Sequence, residues 1–247
     1  MSIALLLAHA TDAGAASVAA WLAREVGPGR VRMIRPEALS LASWTHEIDA
    51  HGRSSTRIVF RNVEPLASAE VGAVLNRIRY LPMPGFNRAS AKDRDYATAE
   101  LQAVVASWLA GFGSRAIHSL WRHPWITPML PLQHWAAAAA ACGLPVASRT
   151  IASSSRLRDR DHEAANPAAG TATGTVLVAG ENLGGALAAP YGEQCLAAAR
   201  LLGFSLLEFR FHGADLVQVD PLPALAEPWA AALTGRLLRS LLRENRA

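Results

Sequence analysis

The chain has 247 residues, of which 51% are apolar and 18% charged, so it can bury a substantial core and is not expected to be disordered. Its formal net charge of +4 comes from 24 basic residues, all arginine except Lys92, and 20 acidic ones. The arginines are scattered and no basic-aromatic stripe accompanies them, which argues against nucleic-acid binding.

Cysteine usage and the first residues indicate the compartment. Cys142 and Cys195 lie in alanine-rich, helix-like stretches, and neither belongs to a CxxC pair or to a zinc-binding spacing. We therefore predict buried thiols and a cytoplasmic protein. The apolar run at 3–8 is too short to span a membrane and lacks the basic flank of a signal peptide, so it predicts a first buried strand.

The N-terminal half alternates strand-like and helix-like segments. In chain order we predict a strand at 3–8, a helix at 12–26, strands at 31–34 and 57–60, a short helix at 66–74 leading into a strand at 74–75, a loop at 80–86, a helix at 96–110 and a strand at 115–118. The β-α-β start favours a parallel sheet.

The C-terminal half contains one clear interruption. We predict a helix at 131–141, a strand at 146–151, a low-complexity connector at 152–174, a strand at 176–179, a helix at 193–202, strands at 205–211 and 215–219 and a helix at about 224–243. The connector is rich in Ser, Ala, Gly and Thr and has little to bury, so it is the best candidate domain boundary.

Two polar groups follow predicted strands of the N-terminal half. His9 and Asp12 come just after the first strand, where open α/β sheets bind ligands, although a helix cap formed by Thr11 or Asp12 is the simpler interpretation. Asn76, Arg77 and Arg79 begin a charge-rich loop that is either a solvated face or a recognition surface for an anionic substrate. We mark all five as candidate substrate-binding residues.

A tryptophan-rich, proline-broken stretch is the leading candidate for partner contact. It contains Trp121, Trp125 and Trp135 among histidines and arginines. The histidine spacings do not fit a helical metal pair, whereas Trp and Arg favour interfaces.

A glycine-rich turn at 180–185 resembles a phosphate-binding loop, but it lacks a Walker lysine and the GxGxxG spacing, so a strand-to-loop turn explains it better.

Three segments occur in an order that is informative about the fold. Val74-Leu75-Asn76-Arg77 ends an apolar run, Cys142-Gly143-Leu144-Pro145-Val146 joins a helix to a strand, and 203–225 forms a hairpin that ends in prolines. This order resembles an ATP-grasp protein of the glutathione-synthetase and RimK-ligase kind. The three segments are similar to the exit from the family's pre-domain sheet, to its helix–GLPVP–strand junction and to its closing hairpin.

The resemblance implies an α/β fold in three parts. Residues 1–148 would form a Rossmann-like pre-ATP-grasp domain with a parallel sheet, and 176–247 a reduced, ATP-grasp-like α+β remnant. Residues 149–175 would be a flexible linker in place of a missing lobe. In the family the closing hairpin carries a Glu-x-Asn pair that holds magnesium against the phosphates.

The chain departs from that pattern at both nucleotide-binding features. Gln218-Val219-Asp220 stands where Glu-x-Asn is expected, which leaves Asp220, with Glu208 nearby, as weak candidate metal ligands beside Gln218. The segment that should carry the phosphate-binding lysines has none, so Arg149, Gly184 and Gly185 are the remaining weak candidates for phosphate contact.

These departures lead to three functional hypotheses. The first is a degenerate ATP-grasp homologue, a pseudoenzyme that acts by binding, as a homodimer or as an accessory subunit of a biosynthetic or peptide-modifying partner. The second is an active ATP-dependent carboxylate–amine ligase, which would need ATP and Mg. The third is a small-molecule binding protein that uses the crevice near His9 and Asp12. No catalytic residue is assigned and no cofactor is required by the first hypothesis.

Overall fold

The structure, a computed structural model, describes residues 2–118, 130–147 and 174–244. These residues divide into two compact units, the first formed by 2–118 and 224–244 and the second by 130–147 and 174–223. Helices and strands are numbered below in chain order. Within the described ranges, no helix combines the length and the apolar composition that crossing a membrane requires.

A four-stranded parallel sheet organises the first unit. Strand β1 (Ile3–Leu7) lies between β2 (Val31–Ile34) and β6 (Val71–Asn76), and β7 (Ala116–Ile117) pairs with β6, which gives the order β2-β1-β6-β7. Helix α1 (Ala13–Val26) connects β1 to β2, so the predicted β-α-β start and parallel sheet are confirmed. Every residue of β6 is buried, as expected for a strand covered on both faces.

A small antiparallel sheet follows β2 and was not foreseen. After the short helix α2 (Pro36–Leu41), strands β3 (Ser43–Ile48), β4 (Ser54–Val59) and β5 (Leu66–Ala67) pair in the order β3-β4-β5. The predicted helix at 66–74 is wrong, because β5, one 3₁₀ turn and the start of β6 occupy those residues. Periodicity alone does not separate strand from helix in so short an apolar run.

Helix α3 (Ala91–Ala110) packs against the two sheets of the first unit through its C-terminal half. It begins at Ala91, five residues before the predicted start at 96, and is capped by Ser90, whose Oγ accepts a hydrogen bond from the Asp93 amide at 3.2 Å. Its Trp108 is 1% exposed and makes edge-to-face contacts with Trp44 and Phe112. These rings close the core between α3 and the antiparallel sheet.

The C-terminal helix belongs to the first unit. Helix α6 (Pro228–Glu244) packs against α1, β1 and β6 and buries its leucine face, whereas the resemblance grouped it with the 176–247 remnant. Gly235 permits a close crossing, because a Cβ there would lie 2.1 Å from the Trp21 ring. The buried leucines give this helix one apolar face, but such a pattern carries no information about which sheet covers that face.

The second unit is an antiparallel sheet covered by helices. Its sheet has the order β11-β10-β8-β9, formed by β8 (Gly174–Ala179), β9 (Asn182–Gly184), β10 (Leu206–His212) and β11 (Asp215–Asp220). Helices α4 (Leu132–Ala141) and α5 (Ala188–Leu202) pack on one another, and α5 packs on β8. The core includes Phe209, Phe211 and Val176, and Val146 forms a single parallel bridge to Leu216.

Candidate functional site

A cavity of about 480 Å³ lies in the first unit, beyond the carboxyl ends of β1 and β6. The parallel pairing of these strands places the residues after β1 beside those after β6. The cavity is lined from the first strand by His9, Thr11, Asp12, Ala13 and Gly14, from the second by Arg77, Arg79 and Tyr80, and from the segment before α6 by Ala224 and Ala226. Four of the five candidate substrate-binding residues are therefore brought together.

Asp12 links the cavity to helix α1. Its Oδ1 accepts the Ala15 amide hydrogen at 2.9 Å, which is the N-cap arrangement predicted for this residue. The positive end of the α1 dipole therefore faces the cavity wall that Asp12, Ala13 and Gly14 form.

A buried ion pair connects the two strand ends. Arg77 Nε donates to Asp12 Oδ2 at 2.7 Å, and Arg77 Nη2 donates to Asp12 Oδ1 at 3.3 Å. The side chain of Arg77 is 2% exposed and that of Asp12 is 12% exposed. The third nitrogen, Nη1, is buried and has no hydrogen-bond partner among the residues that the structure describes. A buried guanidinium nitrogen without an acceptor is costly in free energy, and an oxygen that reached it would remove that cost.

The charges around Asp12 keep it ionised. Burial raises the pKa of Asp12, but hydrogen bonds from Arg77 and the Ala15 amide, with the charges of Arg77 and Arg79, outweigh burial and hold that pKa below its ordinary value of 3.8. Two guanidinium groups and one carboxylate therefore line the cavity. Their sum is one net positive charge, to which the α1 N-terminus adds a partial one.

The outer wall of the cavity is aromatic and apolar. His9 stacks on Tyr80 with ring centroids 4.4 Å apart, and His9 Nε2 accepts the Arg79 amide hydrogen at 3.3 Å. Tyr80 is 61% exposed. Ala224 approaches so closely that a Cβ on Gly14 would lie 1.9 Å from its carbonyl oxygen. The cavity thus combines a cationic floor with a wall suited to methylene groups.

Asn76 lies beside the cavity and has a local structural role. It is fully buried, its Oδ1 accepts the Ile78 amide hydrogen at 3.1 Å, and its carbonyl oxygen lies 3.2 Å from His118 Nδ1. These contacts turn the chain as it leaves β6 and so direct Arg77 inward. Its assignment to direct substrate contact therefore has no support in the geometry, because Asn76 does not line the cavity.

The second unit holds the candidate metal residues on one face of the β10–β11 hairpin. Glu208 pairs with Asp220 across the two strands, and Arg210 pairs with Gln218. Arg210 donates to Glu208 Oε2 from Nε at 2.7 Å, and its Nη2 lies 3.5 Å from Asp220 Oδ2. In the described ranges, this hairpin included, no three His, Cys, Asp or Glu side chains gather in a way that would hold a metal ion.

The glycine-rich turn has a packing explanation. Gly184 pairs with Leu177 in the β8–β9 ladder, and Gly185 has a φ of 111°. A Cβ at Gly185 would lie 2.3 Å from the Thr175 carbonyl oxygen, so only glycine fits there. Both glycines therefore serve the turn, and their role in phosphate contact stays a prediction.

Several predicted site residues belong neither to the cavity of the first unit nor to the β10–β11 hairpin. Trp135 is 4% exposed and packs in the core of the second unit, and its role as a partner contact stays a prediction. Trp121, Trp125 and Arg149, with almost all of the predicted linker at 149–175, lie outside the described residues. The core position of Trp135 agrees with its place on the apolar face of α4.

Sequence reasoning missed four contributors to these sites. Tyr80 was predicted only as the first residue of the loop at 80–86, and Ala224 and Ala226 carried no signal because their contribution is a backbone approach. Arg210 was overlooked although it lies two residues after Glu208, on the same face of a strand. Opposite charges at i and i+2 in a predicted strand are the signal that would have found it.

No family model matches the chain, and no curated protein matches it. Solved structures do. The macrocyclase MdnC from Microcystis aeruginosa MRC, bound with precursor peptide MdnA, is 11% identical with a TM-score of 0.71, over 96% of this chain and 99% of MdnC. A Chryseobacterium gregarium RiPP-associated ATP-grasp ligase, in complex with ADP and a leader and core peptide, is 9% identical with a TM-score of 0.67, over 97% of both chains.

A third solved structure is also similar over nearly its full length at low sequence identity. The ATP-grasp ligase PsnB, complexed with minimal precursor, Mg and ADP, is 13% identical with a TM-score of 0.63, over 99% of this chain and 98% of PsnB. The α/β fold class and the resemblance inferred from the three sequence segments are confirmed at the level of the fold. This chain has the fold of the RiPP-associated ATP-grasp ligases.

Proposed function

We propose that this chain is a peptide-binding accessory protein of a peptide-modifying biosynthetic system, which uses the ATP-grasp fold for recognition instead of ligation. The observation that carries the proposal is the cavity around Arg77, with its enclosed Nη1 that has no acceptor among the described residues. Neighbours with this fold hold a precursor peptide or a leader and core peptide, which supports a peptide as the ligand.

The chemistry of the cavity selects an acidic side chain within that peptide. One net positive charge beside a helix N-terminus favours a monoanion. Tyr80 and the alanines of the outer wall offer an apolar surface for one or two methylene groups. A glutamate or aspartate side chain meets both requirements, whereas an amide would lack the charge.

The absence of ligase activity is proposed on three departures of the sequence. Lys92 is the only lysine, and it lies in α3 of the first unit, far along the chain from the segment where the resemblance expects phosphate-binding lysines. Gln218 replaces a magnesium-binding carboxylate of the resembled family. The third is the 149–175 segment, which contains no lysine and which we propose stands where the resembled family has the lobe that holds a triphosphate rigidly.

An NMR titration with a blocked amino acid tests the binding proposal. N-acetyl-glutamate methylamide should shift the amide signals of the residues after β1 and β6, and the glutamine analogue should not. Arg79→Gln should weaken binding roughly five- to tenfold, the effect of about 1–1.4 kcal/mol. The matched control is Arg24→Gln, since Arg24 is an exposed arginine in the last turn of α1, opposite the cavity end.

Three results would overturn the binding proposal. Equal shifts from the glutamine analogue would exclude recognition of charge. Equal losses of affinity in Arg79→Gln and Arg24→Gln would mean that binding depends only on the net charge of the chain. Signal shifts confined to the second unit would place the ligand outside the cavity. Native mass spectrometry with co-expressed neighbouring proteins then reports whether the functional species is a homodimer or a complex with a biosynthetic partner.

An active ligase is the second candidate, because neighbours with the same fold carry ADP or Mg with ADP. The two functions separate in one calorimetric experiment. The accessory protein should neither bind Mg-ATP with micromolar affinity nor release ADP in the presence of an acidic peptide and an amine. ADP release that depends on the peptide would establish the ligase.

A further inference from the structure

The β10–β11 hairpin contains a charge arrangement that a plain ion pair does not require. Glu208 and Asp220 are directly opposite one another in the antiparallel register. Two like charges at such a pair destabilise a sheet. A cation is therefore needed between them, and in an ATP-grasp fold that cation is expected to be Mg²⁺.

Arg210 provides the positive charge from within the hairpin. Its Nε donates to Glu208 Oε2 at 2.7 Å, and its Nη2 lies 2.6 Å from the same oxygen and 3.5 Å from Asp220 Oδ2. The three side chains are 31%, 16% and 24% exposed for arginine, glutamate and aspartate, so the group is partly shielded from water. Asp220 Oδ1 is also used, because it accepts the Leu222 amide hydrogen at 2.7 Å.

These residues do not fit a magnesium ion. Mg²⁺ requires oxygen ligands at about 2.0–2.1 Å in an octahedral arrangement. The Oε2 atom of Glu208 already accepts a hydrogen bond from Arg210 Nε and lies 2.6 Å from Nη2, and Gln218 offers a neutral amide in place of a carboxylate. A divalent ion beside the Arg210 guanidinium would also be repelled by it. The hairpin therefore suits a guanidinium group of the chain itself better than a metal ion.

We propose that Arg210 is the resident cation of the β10–β11 hairpin and takes the place that a divalent metal would occupy between Glu208 and Asp220. The hairpin then keeps its two facing carboxylates without any metal, and the geometry of this face does not depend on nucleotide or Mg²⁺. The inference concerns the second unit alone and does not depend on what the cavity of the first unit binds.

Removing the guanidinium should expose a latent cation site. We would titrate MnCl₂, which accepts the same carboxylate ligands as Mg²⁺ and broadens nearby NMR signals, into the wild-type chain and Arg210→Gln. The matched control is Arg200→Gln in the same unit, because Arg200 pairs with a single exposed carboxylate, Glu181. Arg210→Lys tests whether any fixed positive charge suffices.

The expected pattern is specific. The wild-type chain, Arg200→Gln and Arg210→Lys should show no Mn²⁺ broadening centred on Glu208 and Asp220. Arg210→Gln should show it, should bind Mn²⁺ at least about tenfold more tightly than the wild type, and should have a Tm that rises with MnCl₂. If Arg210→Gln unfolds without metal, its refolding with MnCl₂ but not with NaCl supports the proposal.

The same experiment can overturn the proposal in either direction. Broadening centred on the hairpin of the wild-type chain would show that a metal binds despite Arg210. An Arg210→Gln variant that responds to MnCl₂ no more than Arg200→Gln does, or that stays unfolded with MnCl₂, would show that Arg210 forms an ordinary cross-strand ion pair.

Discussion

Replacing Asp12 by asparagine should destabilise the first unit by about 3–5 kcal/mol, because it leaves the Arg77 guanidinium buried without a counter-charge. Arg77 is 2% exposed and donates to both carboxylate oxygens of Asp12. Asparagine keeps the N-cap acceptor for the Ala15 amide, so loss of the cap does not contribute. The substitution therefore isolates the ion pair.

Native-state hydrogen exchange of the β1 and β6 amides is the assay, because it reports the opening free energy of the first unit separately from the second. Asp49→Asn is the control, since Asp49 pairs with Arg53 on the surface with side chains 38% and 78% exposed, and exposed pairs contribute little. The amides of β1 and β6 should exchange much faster in Asp12→Asn and almost unchanged in Asp49→Asn.

The effect should depend on pH in a defined direction. The pKa of Asp12 in the folded chain lies below its ordinary value of 3.8, so the carboxylate stabilises the fold above that pH. This stabilisation is lost as the pH falls through the folded pKa. The difference between the wild-type chain and Asp12→Asn should therefore be constant near neutrality and shrink below about pH 3.8.

The reasoning would be refuted by either of two results. Equal exchange rates in Asp12→Asn and Asp49→Asn would mean that the pair between Arg77 and Asp12 contributes no more than a surface pair. A difference that persists undiminished at the lowest accessible pH would mean that the asparagine acts through shape instead of charge.

Two further predictions concern packing. Gly14→Ala should destabilise the first unit by about 1–3 kcal/mol, because the new Cβ would lie 1.9 Å from the Ala224 carbonyl oxygen. Gly29→Ala is the control, because a Cβ there would have nothing within 4 Å. Its free energy of unfolding in urea should change little. Burial raises the pKa of the Cys195 thiol to about 12, so it should resist a thiol reagent at pH 8 in the folded chain, while the half-buried Cys142 reacts first; equal rates would contradict the burial.

The sequence predicted the elements whose signals are local. The apolar run of β1, the Asp12 cap of α1 and the alternation in β10 each depend on residues a few positions apart. The antiparallel sheet formed by β3, β4 and β5 was missed because its strands are short and half-exposed, with no continuous apolar run to mark them.

The candidate site residues also differ in whether a local sequence pattern identifies them. His9, Asp12, Arg77 and Arg79 were found because polar residues followed apolar strands, a pattern with a known consequence in α/β sheets. The burial of Asn76 and Trp135 could not be predicted, since a polar or aromatic residue in a sequence does not reveal whether its side chain is satisfied inside the fold.

By itself the sequence determined the β-α-β start, the α/β class and the presence of charged residues just after strand ends. Tertiary structure alone decided that Arg77 meets Asp12, 65 positions away, and that Glu208 faces Asp220 with Arg210 between them. The physical reason is that strand pairing and register are fixed by burial summed over whole sheets, so they place together side chains whose own sequence neighbours carry no trace of the contact.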